Sequence, residues 1–131
     1  MKQFPFQLDT EYASVITVEA LVEGHEILLA LDTAASQTVL DLNVLMILGY
    51  SASNLGKPFA IETANGMMPV QMAKVKSLSS LGITRAEFDV LTYDFFEKGL
   101  VSDQDGLIGL DFFKNTILTI DFQKQFIVVK Q

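Results

Sequence analysis

From Ser14 to Glu23 the chain alternates apolar and polar residues in SVITVEALVE and is rich in β-branched side chains, which predicts a half-buried strand. Gly24-His25 reads as a tight turn and EILLALD, Glu26–Asp32, as the returning strand. QTVLDLNVLMIL, Gln37–Leu48, is mixed: Thr38-Val39-Leu40 completes a strand, and Asp41 caps a short helix that Gly49 ends. The run Phe59–Leu78 predicts a hairpin around Asn65-Gly66, because both residues tolerate the positive φ of a tight turn. Glu87–Phe95 is a further strand and Gly99–Gly106 a loop. LIGLDFFKNT runs from a strand through Gly109 into a short helix starting near Asp111, and ILTIDFQKQFIVVK folds back across Gln123–Gln125. With no repeat or linker, the pattern predicts one all-β domain over residues 1–131, a closed barrel with one or two short helices.

Composition narrows the functions open to such a barrel. Half of the 131 residues are apolar, enough for a sizeable core. The net charge of −7 argues against nucleic acid, whose phosphates need clustered Lys and Arg. Without cysteine there is no disulfide or thiolate metal site, and His25, the single histidine, reads as a surface turn residue. Asp103 and Asp105 lack the remaining ligands of a calcium loop, so neither a metal nor a cofactor is expected. No run is long and apolar enough to cross a membrane, and the first residues lack the apolar segment of a signal peptide. A cytoplasmic protein without membrane partners is the resulting expectation.

One stretch does not fit a purely structural barrel. In ALDTAASQTVLD, Ala30–Asp41, a buried strand ends on the carboxylate of Asp32, followed by Thr33, Ala34, Ala35 and Ser36. A charge there is costly unless it is hydrogen-bonded or functional. Asp32 is either an Asx-turn residue bonded to the next amides or a catalytic acid. Asp111, at a helix start, reads as structural, because an acid there is favoured by the helix dipole.

LDTAASQTVL, IETANGMMPV, DGLIGLDFF and LTIDFQKQFIVV together resemble the single-domain retropepsin-like aspartic proteases, over roughly Ser14 to Val129. In that family a hydrophobic strand leads to Asp-Thr/Ser-Gly, a flap hairpin follows, and an apolar-apolar-Gly turn precedes a short helix. The matching positions are Asp32-Thr33-Ala34, the Phe59–Met72 hairpin and Leu107-Ile108-Gly109. The resemblance implies an aspartic endopeptidase acting as a homodimer on a peptide or protein substrate. Each chain holds one such motif, so the second carboxylate would be Asp32 of another copy. Two carboxylates about 3 Å apart share one proton, and one of them activates water. The resemblance also gives Thr33 a hydroxyl bond across the two-fold axis and puts Asn65 and Gly66 at the flap tip. Ile61, Met67 and Met68 then either cover an apolar peptide or form the inner face of an ordinary hairpin.

One position departs from the family pattern: Ala34 stands where the family has Gly. A methyl group is tolerated there if φ is negative, but it adds bulk beside the dyad. The alternative to a protease is a catalytically weak or silent peptide-binding and dimerisation module of the same fold. A third possibility is an unrelated small β-barrel with Asp32 as a turn residue.

Overall fold

A computed structural model of the protein describes residues 2–6, 15–98 and 103–131. Among the described residues, ten strands form two sheets. The larger begins with β2 (Thr17–Val22) and β3 (His25–Leu31), which pair antiparallel from Thr17↔Ala30 to Val22↔His25. β4 (Val39–Asp41) and β8 (Gly106–Ile108) continue it, and β6 (Gly66–Ser80) and β7 (Ile83–Tyr93) form its long hairpin. The order is β2-β3-β8-β4-β7-β6, and β2 pairs again with β6, so six strands close a mixed barrel. Among the described residues, β5 (Phe59–Thr63) pairs only with β6 and extends from the ring as a hairpin arm.

The predicted turns are largely present, with three shifts. The first hairpin turns over Glu23-Gly24, one residue earlier than expected, and His25 opens β3 as an exposed residue. Ser14 lies outside the described residues. The flap-like hairpin turns over Ala64-Asn65; only Gly66, at φ 106°, has a positive φ, so Asn65 does not need the left-handed region. β6 then runs on to Ser80 and turns over Leu81-Gly82 into β7, a second hairpin the sequence pattern did not disclose. Its hydrophobic signal is hidden because the middle of β6 is buried on both faces. Met68, Val70 and Met72 point to one apolar cluster, and Ala73 and Val75 to another. Of the expected loop Gly99–Gly106, residues 99–102 lie outside the described residues, and Gly106 already belongs to β8.

The ambiguous Gln37–Leu48 stretch contains both expected elements. After β4, α1 (Leu42–Ile47) starts at Asp41, whose side chain accepts a hydrogen bond from Asn43 N, as an N-cap does. The turn after β8 leads into a 3₁₀ helix, η1 (Leu110–Phe113), which buries Phe112 and Phe113. The main core fills the barrel and includes Leu29, Leu40, Leu78, Ile83, Ile108 and Phe112, all essentially inaccessible. A smaller cluster of Val39, Val70 and Leu91 lies between the barrel wall and the β5–β6 arm.

The second sheet holds three strands in the order β1-β10-β9, with β1 (Lys2–Pro5), β9 (Ile117–Asp121) and β10 (Phe126–Lys130). β9 and β10 form the predicted closing hairpin. β1 pairs antiparallel with β10 of the same chain, Lys2↔Val129 to Pro5↔Phe126, and its Pro5 sits at the sheet edge, where a missing donor is tolerated. Among the described residues, no helix is long and apolar enough to cross a membrane.

Candidate active site

β3 ends at Leu31, and the chain leaves the barrel wall at Asp32. Asp32 N donates to the carbonyl of Ile108 at 3.1 Å, which fixes the start of the loop against β8. Ala34 N donates to Asp32 Oδ1 at 2.9 Å, and Ala35 N to the Asp32 carbonyl at 3.2 Å. The Asx-turn expected of a structural aspartate is therefore present. It uses only one carboxylate oxygen: among the described residues Oδ2 has no protein hydrogen bond, and no ion pair reaches Asp32. Asp32 is half-buried, and Thr33 and Ala34 stand in solvent. Ala34 is not among the residues with positive φ, so its methyl group does not strain the turn.

The far side of the loop is tied down more firmly. Leu110 N donates to the Ala35 carbonyl at 2.8 Å. Fully buried Thr38 donates from N to both oxygens of Asp111, at 3.0 and 3.1 Å, and from Oγ1 to Asp111 Oδ1 at 2.7 Å. The same Oγ1 accepts from Gly109 N at 3.1 Å. Asp111 is structural, as its position predicted, but chiefly because it holds Thr38 rather than because it faces a helix dipole. The turn must be glycine at 109: a Cβ there would meet the Gln37 carbonyl carbon at 2.7 Å and the Ala35 oxygen at 2.8 Å. Thr38, Gly109 and Asp111 thus brace the Asp32 loop through contacts that span the chain, and local pattern gave no sign of them.

The other carboxylates near this end of the barrel serve the backbone. Asp41 Oδ1 accepts from Asn43 N and from Phe95 N, and Asp105 Oδ2 accepts from Leu28 N at 2.9 Å. Asp94 accepts from Asn43 Nδ2, and that bond holds its carboxyl below the usual carboxylate range. Among the described residues, no group of three or more His, Cys, Asp or Glu has metal-site geometry. Among the described residues, Asp32 differs from these in that its one side-chain bond is local, to Ala34 N within its own exposed loop, and ties no other element.

The five hairpin residues divide by face. Ile61 and Met68 are cross-strand partners and pack on the Val39, Val70 and Leu91 cluster, together with Leu107, Tyr93 and Phe95. Tyr93 and Phe95 stack with centroids 4.8 Å apart, and burial pushes the Tyr93 phenol up, with the Asp41 charge adding to it. Asn65, Gly66 and Met67 are exposed at the turn, and Met67 lies on the opposite face of its strand from Met68. The apolar floor therefore includes Val39, Tyr93 and Phe95, which sequence reasoning did not single out, and Leu107, which it named only as part of the apolar-apolar-Gly turn. A groove of about 720 Å³ opens elsewhere, over Glu19, Leu21, Glu26, Leu28, Ser79 and Thr84. Its lining includes Glu26–Leu28 of β3 but none of the Asp32 loop that follows the other end of that strand.

A family model described as aspartyl protease matches residues 18–112. Among solved structures, a retropepsin-like aspartic protease from Rickettsia conorii superposes with a TM-score of 0.69 at 16% identity, covering 98% of this chain and 90% of that one. The EIAV protease, solved in complex with an inhibitor, superposes with a TM-score of 0.57 at 16% identity, covering 82% of this chain and 93% of that one. No curated protein matches the chain in sequence.

Proposed function

The chain belongs to the aspartyl protease family and has the retropepsin-like fold, and on that premise we propose that it is a homodimeric aspartic endopeptidase. The observation that carries the reading is the Asp32 carboxylate: one oxygen held by Ala34 N, the other uncommitted, on a loop braced from both sides. Among the described residues, Asp41, Asp105 and Asp111 each hold backbone amides of other elements, and none of them stands on the Asp32 loop. The second acid is Asp32 of another copy, brought opposite the first by a two-fold axis.

Two carboxylates at such close range cannot both ionise, so the pair holds one proton. The ionised member takes a proton from a water molecule as the water attacks the scissile carbonyl carbon. The protonated member donates its hydrogen bond to the carbonyl oxygen, where negative charge develops. Transfer of that proton to the oxygen gives a gem-diol; the acid that took the water's proton then passes it to the leaving nitrogen, a gem-diol hydroxyl returns its proton to the other carboxylate, and the C–N bond breaks. The pair titrates as a unit with two apparent pKa values, and the rate has a bell-shaped pH dependence.

The remaining site residues take supporting roles. Thr33, exposed beside the axis, bonds across it to the partner's loop. Ala34 and Ala35 complete the turn that orients Asp32. The β5–β6 arm is the flap, with Asn65, Gly66 and Met67 at its exposed end and Ile61 and Met68 on the face that meets the apolar floor. An extended, largely apolar peptide lies between floor and flap, held by strand-like backbone bonds. The domain spans residues 1–131, and the enzyme works in the cytoplasm on peptide or protein substrates without nucleic acid, membrane, metal or cofactor.

The test is incubation with a peptide library across pH, comparing wild type with Asp32→Asn. Cleavage falls by at least about 10²–10⁴-fold in the variant, while its circular dichroism and dimer fraction match wild type. An Asp32→Asn protein that cleaves as fast as wild type refutes the reading. The Ala34 methyl beside the dyad favours one alternative, a peptide-binding module without turnover. Binding of library peptides by wild type with no cleavage at any pH would establish it.

A further inference from the structure

We propose that the groove between the β2–β3 and β6–β7 hairpins is a docking site for an extended peptide segment in which a basic residue, Arg or Lys, neighbours apolar ones. The site stands apart from the proteolytic reading: its lining includes no residue of the Asp32 loop or of the β5–β6 turn.

The groove has a volume of about 720 Å³, inside the roughly 300–1,000 Å³ typical of sites that hold an organic ligand. Strand alternation builds its wall. Val18, Ala20 and Val22 of β2 and Ile27 and Leu29 of β3 belong to the core, so Glu19, Leu21, Glu26 and Leu28 point outward. Glu19 stands opposite Leu28, and Leu21 opposite Glu26. The two carboxylates therefore take one diagonal of a four-residue square and the two leucines the other, with diagonal neighbours about 7–8 Å apart. Asp105 adds a third acid beside Leu28: its Oδ2 accepts from Leu28 N at 2.9 Å, and its amide donates to the Leu28 carbonyl at 2.7 Å. On the other side Leu21 pairs with Ser79 of β6, and Ser79 with Thr84 of β7, their hydroxyl oxygens 2.9 Å apart.

The charge on this wall is uncompensated. Among the described residues, the Glu19 and Glu26 carboxylates have neither an ion pair nor a hydrogen bond, and the lining contains no Lys, Arg or His. Lys2 passes beside Gly82, at the hydroxyl end. A concave wall of one sign concentrates the opposite charge. A guanidinium or ammonium between Glu19 and Glu26 makes charge-assisted hydrogen bonds to both. Its methylene stem covers Leu21, which is 42% exposed, and Leu28. The length of the groove selects the rest of the ligand. The row Glu26, Leu21, Ser79, Thr84 crosses four strands, about 14 Å at the usual strand spacing. A compact cation covers only the acidic end. An extended chain of about four residues covers all of it, and its backbone N–H and C=O groups meet the two hydroxyls. Among the described residues no acidic group has metal-site geometry, and the same carboxylates repel nucleic-acid phosphates.

Fluorescence anisotropy on the full chain tests the proposal, with fluorescein-labelled Gly-Arg-Ser-Leu-Gly as probe; its Arg and Leu share one face of an extended chain. Wild type and Asp32→Asn bind the probe alike, and added salt weakens the binding. Replacing Arg by Glu in the probe abolishes it. Glu19→Gln combined with Glu26→Gln weakens binding at least about tenfold, and Leu21→Ser at least about threefold, with circular dichroism unchanged because all three side chains are exposed. A wild type that does not bind the probe overturns the proposal, as does a double variant that binds like wild type. Spermidine that binds as tightly as the peptide overturns it in favour of a small-amine site. Loss of binding in Asp32→Asn overturns it too, because the probe then occupies the candidate active site. Binding that persists in a protein that cleaves no peptide at any pH refutes the proteolytic reading and leaves the docking site standing.

Discussion

Ala34 shows how a single methyl group is judged by backbone geometry rather than by comparison with a motif. Its φ is not positive, and its amide closes the Asx-turn on Asp32. The turn thus accommodates alanine without strain, and alanine restricts the unfolded chain more than glycine does. Ala34→Gly therefore lowers stability by about 0.4–1 kcal/mol in chemical denaturation, with the m-value unchanged. A gain in stability on that substitution would mean that the methyl group is strained in the protomer after all. Asp32 itself was legible in the sequence, because an apolar strand that ends on a lone acid is a local pattern. Its bracing was not: Thr38 and Asp111 are 73 positions apart, and nothing in either local sequence announces that they meet.

At the scale of elements, one hydrogen-bonded link outside the site joins the end of α1 to the first hairpin. The Tyr50 hydroxyl donates to Glu23 Oε2, and the same oxygen accepts from Lys76 N at 3.1 Å, so one carboxylate ties the helix to β6. Burial, reinforced by the bond to Glu23, pushes the Tyr50 phenol up to about 12. A raised pKa means the folded state prefers the protonated phenol. That contribution is complete below the ordinary tyrosine value of about 10 and is lost as pH rises toward about 12. Tyr50→Phe costs about 1 kcal/mol at neutral pH, and the gap from wild type narrows through that alkaline window in pH-dependent thermal melts. A constant gap at every pH would show that the phenol's pKa is the same in the folded and unfolded chain. Elements with local signals were legible in the sequence: the Asp41 cap, the Gly66 turn and the closing hairpin. The β6–β7 turn was hidden because Leu81 adopts positive φ without being glycine and the strands around it are buried on alternating sides. The parallel β3–β8 and β4–β7 pairings were hidden because they join residues far apart in the chain.

For the whole molecule, a barrel closed by β2–β6 carries one braced acid at its rim and an apolar floor beneath a hairpin arm, and β1 pairs with β10 in a second sheet. On the proposed reading, one chain supplies one of the two acids that the chemistry needs. The most direct measurement mixes wild type with Asp32→Asn at constant total concentration, above the dimer dissociation constant, and follows peptide hydrolysis. If every site draws one Asp32 from each copy, only wild-type pairs cleave, so an equal mixture retains about a quarter of the wild-type rate. An equal mixture that keeps about half of that rate, falling linearly with the wild-type fraction, would mean that each chain acts alone and would contradict the shared pair of acids.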